Sequence, residues 1–230
     1  MKQEYLLEVT KIRPDAPDIV SIFFQKPADF AYNAGDCIDI GFKDSALGKK
    51  TFSFASSPLE DDLYITYKRG ISDYKKKMQT LDVGDSVIAT HYGSNFVFHP
   101  GKKSIFIAGG VGVTPLRSMI YTSLQGISQE EMILVYLNNS DDFVFEAEFL
   151  DWQKVHPHFR YIPLNTVQKG RISKNILIQH LPTVSSSPYD FYISGPPLMI
   201  DAVSTIIEDL GLADHIIHTD SFDGYTQELA

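Results

Sequence analysis

The chain has a single cysteine and no long apolar run, which argues against several common classes of protein. Its 230 residues include one cysteine, Cys37, which excludes an internal disulfide and a cysteine-ligated zinc or iron–sulfur site built from this chain alone. It has no run of about 18 apolar residues, so we expect no membrane span. The first residues are charged and alternate like a strand, unlike a signal peptide, and we therefore expect a cytoplasmic protein.

Positive charge is also scarce. The formal net charge is −9, which argues against a nucleic-acid-binding protein. Residues 201–230 contain seven acids and no Lys or Arg, whereas residues 43–77 contain eight of the 20 basic residues and five acids. We interpret both segments as solvated faces. The seven histidines show no spacing typical of a metal site, so the sequence predicts no bound metal.

The chain is longer than one typical core of about 100–150 residues needs, and its two halves differ in pattern. Residues 1–99 contain short segments with alternating polarity, separated by Gly, Pro and Asp. They predict six antiparallel strands and one short helix, SDYKKKMQTL, in a small barrel or sandwich. The strand segments are EYLLEVTKI, SIFFQKP, DCIDIGF, TFSFAS, LYITYKR and DSVIATHY.

Residues 100–230 have a different rhythm, in which continuous apolar runs alternate with helical periodicity. This pattern predicts a parallel sheet covered by helices on both faces, and we place the domain boundary near residue 100. The strand segments are SIFIAGG, MILVYLNN, RYIPLNT, DFYISGP and HIIHTDSF, and the helical ones PLRSMIYTSLQ, EAEFLDWQKV and PLMIDAVSTIIEDL.

A glycine-rich turn follows the first strand of the second half. Gly109, Gly110 and Gly112 let the backbone bend and approach a ligand, Thr114 is placed to cap a helix, and Pro115 suits the first helical turn. Free N–H groups at a helix start favour a pyrophosphate. The stretch lacks the third glycine of the dinucleotide fingerprint, so by itself it also fits a simple strand–helix connection.

A second turn, at Ser194–Met199, has the same setting. It lies at the end of a predicted strand and before a helix, and includes Gly195, Pro196 and Met199. Ligands of open α/β sheets bind outside the carboxyl ends of strands, so both turns are expected to face one crevice. A proline-rich stop before a helix would give the same sequence.

Taken in order, these motifs resemble those of the ferredoxin–NADP⁺ reductase superfamily over nearly the whole chain. Lys50–Ser56 match its flavin motif R-x-[YF]-S-x-x-[ST], except that lysine replaces arginine. The later matches are Gly70–Ser72, Gly84-Asp85, Gly93 with Phe96, Gly109–Pro115, and Gly195–Met199. The resemblance implies an FAD-binding antiparallel β-barrel over 1–99, followed by an NAD(P)-binding α/β domain over 100–230.

The resemblance also implies roles for individual residues. Phe52 would lie against the flavin, Ser53 would hydrogen-bond near flavin N5, and Lys50 would meet the FAD pyrophosphate. Ser194 and Phe222 join Ser53 as catalytic candidates. The remaining cofactor-binding candidates are Thr51, Tyr67, Lys68, Gly70, Ile71, Ser72, Gly109, Gly110, Gly112, Thr114, Pro115, Asn138, Asn139, Gly195, Pro196 and Met199.

Three positions depart from the family pattern or leave a choice. Lys50 cannot make the bidentate contact of arginine, so FAD is expected to bind less tightly than is typical. Ser194 stands where the family often has cysteine; Cys37 lies in another strand and is interpreted as a small core residue. Phe222 or Tyr225 would be the aromatic ring that covers the flavin, and we favour Phe222 because it follows the last strand directly.

The sequence thus predicts a flavoenzyme in which NAD(P)H reduces FAD. The acceptor is a free flavin or other small molecule, or a separate redox protein such as a ferredoxin, flavodoxin or oxygenase component; a non-catalytic regulatory or interaction subunit is the alternative. The run Asn138–Asp142 offers no cation for a 2′-phosphate, so NADH is favoured over NADPH. Arg171 is the one group that could reverse this preference.

Overall fold

Alternating apolar residues in the first half build an antiparallel sheet of six strands. The computed structural model describes residues 3–43, 45–91, 93–126, 129–180, 189–212 and 216–222. The strands are β1 (Glu4–Ala16), β2 (Ile19–Phe24), β3 (Cys37–Gly41), β4 (Lys50–Ser53), β5 (Leu63–Lys68) and β6 (Ser86–His91), with helix α1 (Asp73–Gln79) between β5 and β6.

The sheet curls into a barrel. Its strand order is β4-β3-β6-β1-β2-β5, and an antiparallel bridge between Phe54 and Ile65 joins its two outer strands. The bridge is extended by a hydrogen bond from Ala55 N–H to Tyr64 O of 3.0 Å. Closure places the end of β4 beside β5, which brings the flavin-motif residues next to the 67–72 segment.

The second half forms a five-stranded parallel sheet with helices on both faces. Its strands are β7 (Ser104–Gly109), β8 (Met132–Asn138), β9 (Phe159–Asn165), β10 (Asp190–Gly195) and β11 (Ile216–Ser221). Its helices are α2 (Val113–Leu124), α3 (Glu146–Val155), α4 (Thr166–Lys169), α5 (Lys174–His180) and α6 (Pro197–Asp209), and a 3₁₀ turn spans Gly110–Gly112.

The strand order β11-β10-β7-β8-β9 places the topological switch point between β7 and β10. Both glycine-containing turns follow these two strands, so they lie at the crevice where open α/β sheets bind ligands. Side chains alternate across the sheet. Phe106, Leu134 and Tyr192 pack with α2 and α3 on one face, whereas Ile107, Val135 and Ile193 pack with α5 and α6 on the other.

One hydrophobic core runs from the barrel into the second half. Phe23 and Tyr64 of the barrel stack at 4.5 Å and belong to the same buried cluster as Leu116 and Met119 of α2. The two parts therefore meet along a buried apolar surface, and α2, which follows the glycine turn, lies directly against the barrel.

The predicted fold is confirmed: six antiparallel strands precede a parallel sheet, and each predicted strand and helix is present within a few residues of its expected position. The short helices α4 and α5 were not predicted. The boundary near residue 100 remains a prediction and falls between β6 and β7. Within the described part of the chain, no helix is long and apolar enough to cross a membrane.

Candidate functional site

Strand β4 presents the residues of the first motif at the closing edge of the barrel. Lys50 and Phe52 lie on the same face of the strand because alternate residues share a face. Lys50 is exposed, whereas Phe52 is half-buried, with its ring centroid 6.3 Å from Tyr67 and 6.1 Å from Tyr74. The structure thus brings Lys50, Phe52 and Tyr67, all predicted site residues, into one patch.

The turn after β5 continues this patch. Ser72 is the N-cap of α1 and accepts a hydrogen bond from the Lys75 N–H at 3.3 Å. Gly70 is held by Gln79 Nε2, which donates to its carbonyl at 2.9 Å, and the side chain of Ile71 is 74% exposed. The turn therefore presents backbone and an apolar side chain to solvent beside β4.

Two other predicted barrel residues already use their polar groups within the protein. The hydroxyl of Thr51 donates to Asp39 Oδ1 at 2.6 Å, and Lys68 Nζ lies 3.0 Å from Asp18 Oδ2. A contact of Thr51 or Lys68 with a cofactor would therefore involve the backbone or the aliphatic part of the side chain, unless these bonds are exchanged.

The glycine turn and the Gly-Pro-Pro turn are packed against each other. Strands β7 and β10 pair through Ala108 and Ser194, and a Cβ placed on Gly195 would lie 3.1 Å from Gly109 Cα. A Cβ on Gly112 would lie 2.3 Å from the Ser194 carbonyl oxygen. The two turns are therefore adjacent, as predicted, while a shared crevice stays a prediction; Gly112 is required by the protein's own backbone before any ligand is considered.

The start of α2 differs from the sequence prediction in one respect. Thr114 was expected to cap the helix, but α2 begins at Val113 and Gly112 is its N-cap residue. Thr114 is buried inside the first turn, and its hydroxyl donates back to the Val111 carbonyl at 2.6 Å. The expected cap is wrong because the 3₁₀ turn at Gly110–Gly112 starts the helical conformation earlier. Pro115 does lie in the first turn.

The two halves meet at Ser53 and Asp220. The hydroxyl of Ser53, at the end of β4, donates to Asp220 Oδ2 of β11 at 3.5 Å. Burial raises the pKa of Asp220 to about 6, and the hydrogen bond from Ser53 opposes this shift. A carboxyl group that binds a proton near neutral pH therefore lies beside the residue predicted to act at flavin N5.

Ser194 and Phe222 belong to the same locus. Ser194 pairs in register with Asp220, and the Phe222 N–H donates to the Gly195 carbonyl at 3.1 Å. Ser194 is fully buried, and its hydroxyl has no hydrogen-bond partner among the described residues. Phe222 is half-buried; Tyr225, the other candidate for the aromatic cover, lies outside the described residues.

The end of β8 forms a polar loop beside β9. Asn138 Nδ2 donates to the Asp142 carbonyl at 3.0 Å, while Asp141 accepts from Asn165 Nδ2 at 2.8 Å and from Gln168 Nε2 at 3.2 Å. Asn139 and Asp141 are exposed. The acidic loop is therefore anchored to the first turn after β9.

An arginine of α2 fixes this helix to the barrel. The Arg117 guanidinium donates to both carboxylate oxygens of Glu60, at 2.6 and 2.9 Å, and to the Ala55 carbonyl at 3.0 Å. It also reaches Glu148 of α3, and its side chain is only 4% exposed. Because Ala55 lies within the flavin motif, Arg117 links the position of α2 to that of the motif.

Sequence reasoning did not find Asp220 or Arg117. Asp220 could have been suspected from its position two residues before the chosen aromatic, Phe222. Arg117 gives no such signal, because an arginine within an amphipathic helix normally indicates a solvent-facing position. The side chains of the Lys75–Lys77 run make none of the site contacts described above. Cys37 is half-buried rather than a core residue; it pairs across β3 and β4 with Ser53, and its Sγ lies 3.4 Å from the Gly93 carbonyl.

Comparison with known sequences identifies relatives. Residues 106–205 match the family model of the oxidoreductase NAD-binding domain. The chain is 29% identical over 234 residues to the phenol hydroxylase P5 protein of Acinetobacter pittii, covering 96% of this chain and 66% of that protein. It is also 29% identical over 159 residues to a subunit of the Na(+)-translocating NADH-quinone reductase of Yersinia pestis, covering 63% of this chain and 39% of that protein. The chain thus spans less than two thirds of these relatives.

Comparison with solved structures extends over both halves. The cytochrome P450 reductase GcoB of Amycolatopsis matches with a TM-score of 0.82 and 21% identity, covering 96% of this chain and 71% of that one. The ferredoxin-NADP+ reductase of Plasmodium falciparum matches with a TM-score of 0.80 and 16% identity, covering 96% and 97%. These likenesses establish a shared two-part fold.

Proposed function

We propose that this chain, which has the fold of the ferredoxin–NADP⁺ reductases, is a member of that superfamily and an FAD-dependent oxidoreductase driven by NAD(P)H. When bound, FAD would accept hydride from the nicotinamide nucleotide and pass electrons to an acceptor. The observation that carries the proposal is the meeting of Ser53 with Asp220, because it joins the flavin motif to the edge of the sheet that carries the nucleotide turns.

The barrel residues fit a flavin. Lys50 offers an exposed cation, Phe52 offers a half-buried ring that packs on the buried ring of Tyr67, and the 70–72 turn offers backbone groups. The cation suits a pyrophosphate and the rings suit an apolar ring system. This combination favours FAD over FMN, since only FAD has a pyrophosphate for Lys50 to contact.

The second half fits a nicotinamide nucleotide. The hydroxyl of Ser194 is buried at the switch point and has no hydrogen-bond partner among the residues that the structure describes. A buried polar atom without a partner costs free energy unless a ligand satisfies it. We assign to Ser194 the orientation of the nicotinamide, in place of the family's usual cysteine. The Phe222 N–H donates to the Gly195 carbonyl, and this backbone contact at the end of β10 supports the role of Phe222 as the ring that covers the flavin.

Ser53 and Asp220 supply the polar chemistry of the site. Ser53 can donate its hydroxyl proton either to Asp220 or to a bound cofactor, and Asp220 holds a proton at its carboxyl group below about pH 6. A change in the protonation of Asp220 therefore changes which acceptor the Ser53 hydroxyl hydrogen-bonds to. Neither group needs to leave its strand for this exchange.

The acceptor belongs to one of two classes, a small molecule such as a free flavin or a separate redox protein. Full-length protein reconstituted with FAD should oxidise NADH in the presence of free flavins or ferric complexes if the first class applies. If turnover requires an added ferredoxin, flavodoxin or oxygenase component, the second class applies. Absence of both NADH and NADPH oxidation with every acceptor, despite bound FAD, would instead support a non-catalytic binding subunit and overturn the proposal.

A further inference from the structure

Three potential metal ligands from distant parts of the chain converge at the amino-terminal side of the parallel sheet. One nitrogen each of His99 and His218 and one oxygen of Asp190 lie within 4.8 Å of one another. His99 precedes β7, Asp190 is the first residue of β10, and His218 lies in β11. Their wide separation along the chain explains why histidine spacing in the sequence gives no indication of them.

The ligand atoms at the centre of this cluster are buried and poorly satisfied. The Asp190 side chain is 5% exposed, and its Oδ2 accepts no hydrogen bond from any described residue. His218 Nε2 is likewise buried, and no described residue is its hydrogen-bond partner. Asp190 Oδ2 has ion pairs only with the partly exposed side chains of Lys102 and His99 among the described residues, and leaving the buried His218 Nε2 without a hydrogen bond costs free energy.

Tyr192 contacts the ring of His218 and the backbone of His99. Its ring stacks on His218 with centroids 4.7 Å apart and planes inclined by 9°, and its hydroxyl accepts the His99 backbone N–H at 3.0 Å. The same hydroxyl lies 3.4 Å from His99 Nδ1. Tyr192 and Asp190 share one face of β10, so two of the three ligands, Asp190 and His218, are held on strands, while His99 comes from the segment before β7.

We propose that His99, Asp190 and His218 form a zinc site. Two imidazoles and one carboxylate suit Zn²⁺, with water as the fourth ligand. Tetrahedral zinc requires ligand atoms about 3.3 Å apart. His99 Nδ1 is now 3.9 Å from Asp190 Oδ2, and its side chain is 47% exposed, so it is free to close this gap.

Lys102 would compete with the metal for the carboxylate of Asp190. Its Nζ lies 3.4 Å from Asp190 Oδ2 and partly neutralises that carboxylate in the absence of an ion. The Lys102 side chain is 52% exposed, so it can swing into solvent when Zn²⁺ takes its place. The ammonium group and the cation cannot both occupy the space beside Oδ2, and removing Lys102 should therefore strengthen metal binding.

The site is remote from the proposed redox centre. Asp190 begins β10, whereas Ser194 and Gly195 end it, about 16 Å away along the strand. Zinc at this position would join the segment that leaves the barrel to β10 and β11. Its role is therefore to fix the junction of the two halves rather than to take part in hydride transfer.

Isothermal titration of the full-length protein with ZnCl₂ in chelator-free buffer tests the proposal. We expect one Zn²⁺ per chain. His218→Phe, which retains an aromatic ring for stacking on Tyr192, should weaken binding by at least about 100-fold. His99→Gln, at an exposed position, should do the same and serves if His218→Phe does not fold. Lys102→Met should tighten binding.

His156→Gln is the matched control, because the rings of His156 and His158 lie 5.6 Å apart in another part of the structure and are the competing histidine pair. It should leave the affinity for zinc unchanged. Absence of zinc binding by the wild-type protein, binding that survives in both His218→Phe and His99→Gln, or loss of binding in His156→Gln would each overturn the proposal.

Discussion

Ser53 Oγ lies 3.5 Å from Asp220 Oδ2, although 167 positions separate these residues in the chain. The contact joins the last residue of β4 in the barrel to the next-to-last residue of β11 in the parallel sheet. It places the hydroxyl of the flavin motif, the buried hydroxyl of Ser194 and the segment leading to Phe222 at one junction. The proposed chemistry depends on this junction.

The raised pKa of Asp220 predicts a pH-dependent loss of stability. The pKa of its carboxyl group is about 6 in the folded protein and 3.8 in the unfolded reference state. The folded state therefore holds this proton more tightly, so the free energy of unfolding is highest below about pH 4 and decreases as the pH rises through 6. We expect Asp220→Asn to stabilise the flavin-free protein by up to about 3 kcal/mol at pH 8 and by roughly half as much at pH 5.

Urea denaturation of both proteins at the two pH values measures this difference. The exposed Asp201 provides a control, and Asp201→Asn should change the free energy of unfolding by less than about 0.5 kcal/mol at either pH. An Asp220→Asn variant whose free energy of unfolding changes equally at pH 5 and pH 8 would show that the carboxyl group does not carry the assigned burial cost.

Lys50 is expected to hold the FAD pyrophosphate. Lys50→Ala should remove a charge-assisted contact worth roughly 1.5–3 kcal/mol, which weakens FAD binding about ten- to a hundred-fold. Quenching of flavin fluorescence on titration measures the affinity. Lys49→Ala is the control, because Lys49 is directed away toward Glu4 and Thr90 and should leave FAD affinity unchanged. Equal effects of the two variants, or release of FMN by heat, would refute the assignment.

Arg117 is expected to stabilise the junction between the halves. Arg117→Met should lower the free energy of unfolding by about 2–4 kcal/mol, because it leaves the half-buried carboxylates of Glu60 and Glu148 without their buried partner. The urea midpoint at constant m-value measures the loss. Lys154→Met, which breaks an exposed pair with Asp151, should cost less than about 1 kcal/mol. Similar losses in both variants would contradict the role given to Arg117.

The acidic loop after β8 is expected to favour NADH. Carboxylates there repel a 2′-phosphate, and the side chain of Arg171 is exposed. Asp141→Arg should shift the ratio of kcat/KM toward NADPH by about ten-fold through a new charge partner. Asp151→Arg, the same charge change on α3, should leave the ratio unaltered. The account of specificity fails if the wild-type protein already has the higher kcat/KM with NADPH.

The elements of this fold could be predicted from the sequence because each follows from a local pattern. Alternation produced the barrel strands, and apolar runs such as SIFIAG produced the parallel ones. Partners that depend on pairing between distant segments could not be predicted. Asp220 acquires its neighbour Ser53 only when β11 packs against the barrel, and Arg117 becomes buried only when two carboxylates converge on α2.

The glycine turns also depend on contacts between distant segments that could not be predicted from the sequence. The sequence predicts that Gly112 lets the backbone approach a ligand, and this stays a prediction. The structure adds that the backbone of Ser194 and Gly195 already lies against Gly112. The prediction of Thr114 as a helix cap is wrong, although a threonine before a proline at a strand–helix junction is typical of an N-cap. The helical conformation begins earlier, in the 3₁₀ turn at Gly110–Gly112, and the composition of that turn does not indicate it.

Anaerobic titration of the FAD-reconstituted protein with NADH tests the central claim most directly. The proposed function predicts a yellow protein whose flavin absorbance is bleached by about one equivalent of NADH per chain. The flavin of Ser53→Ala should be bleached to the same extent but more slowly. Loss of the hydroxyl is expected to lower the rate of hydride transfer without changing the amount of NADH that each flavin consumes. A protein that binds FAD and whose absorbance is unchanged by excess NADH or NADPH would contradict the account.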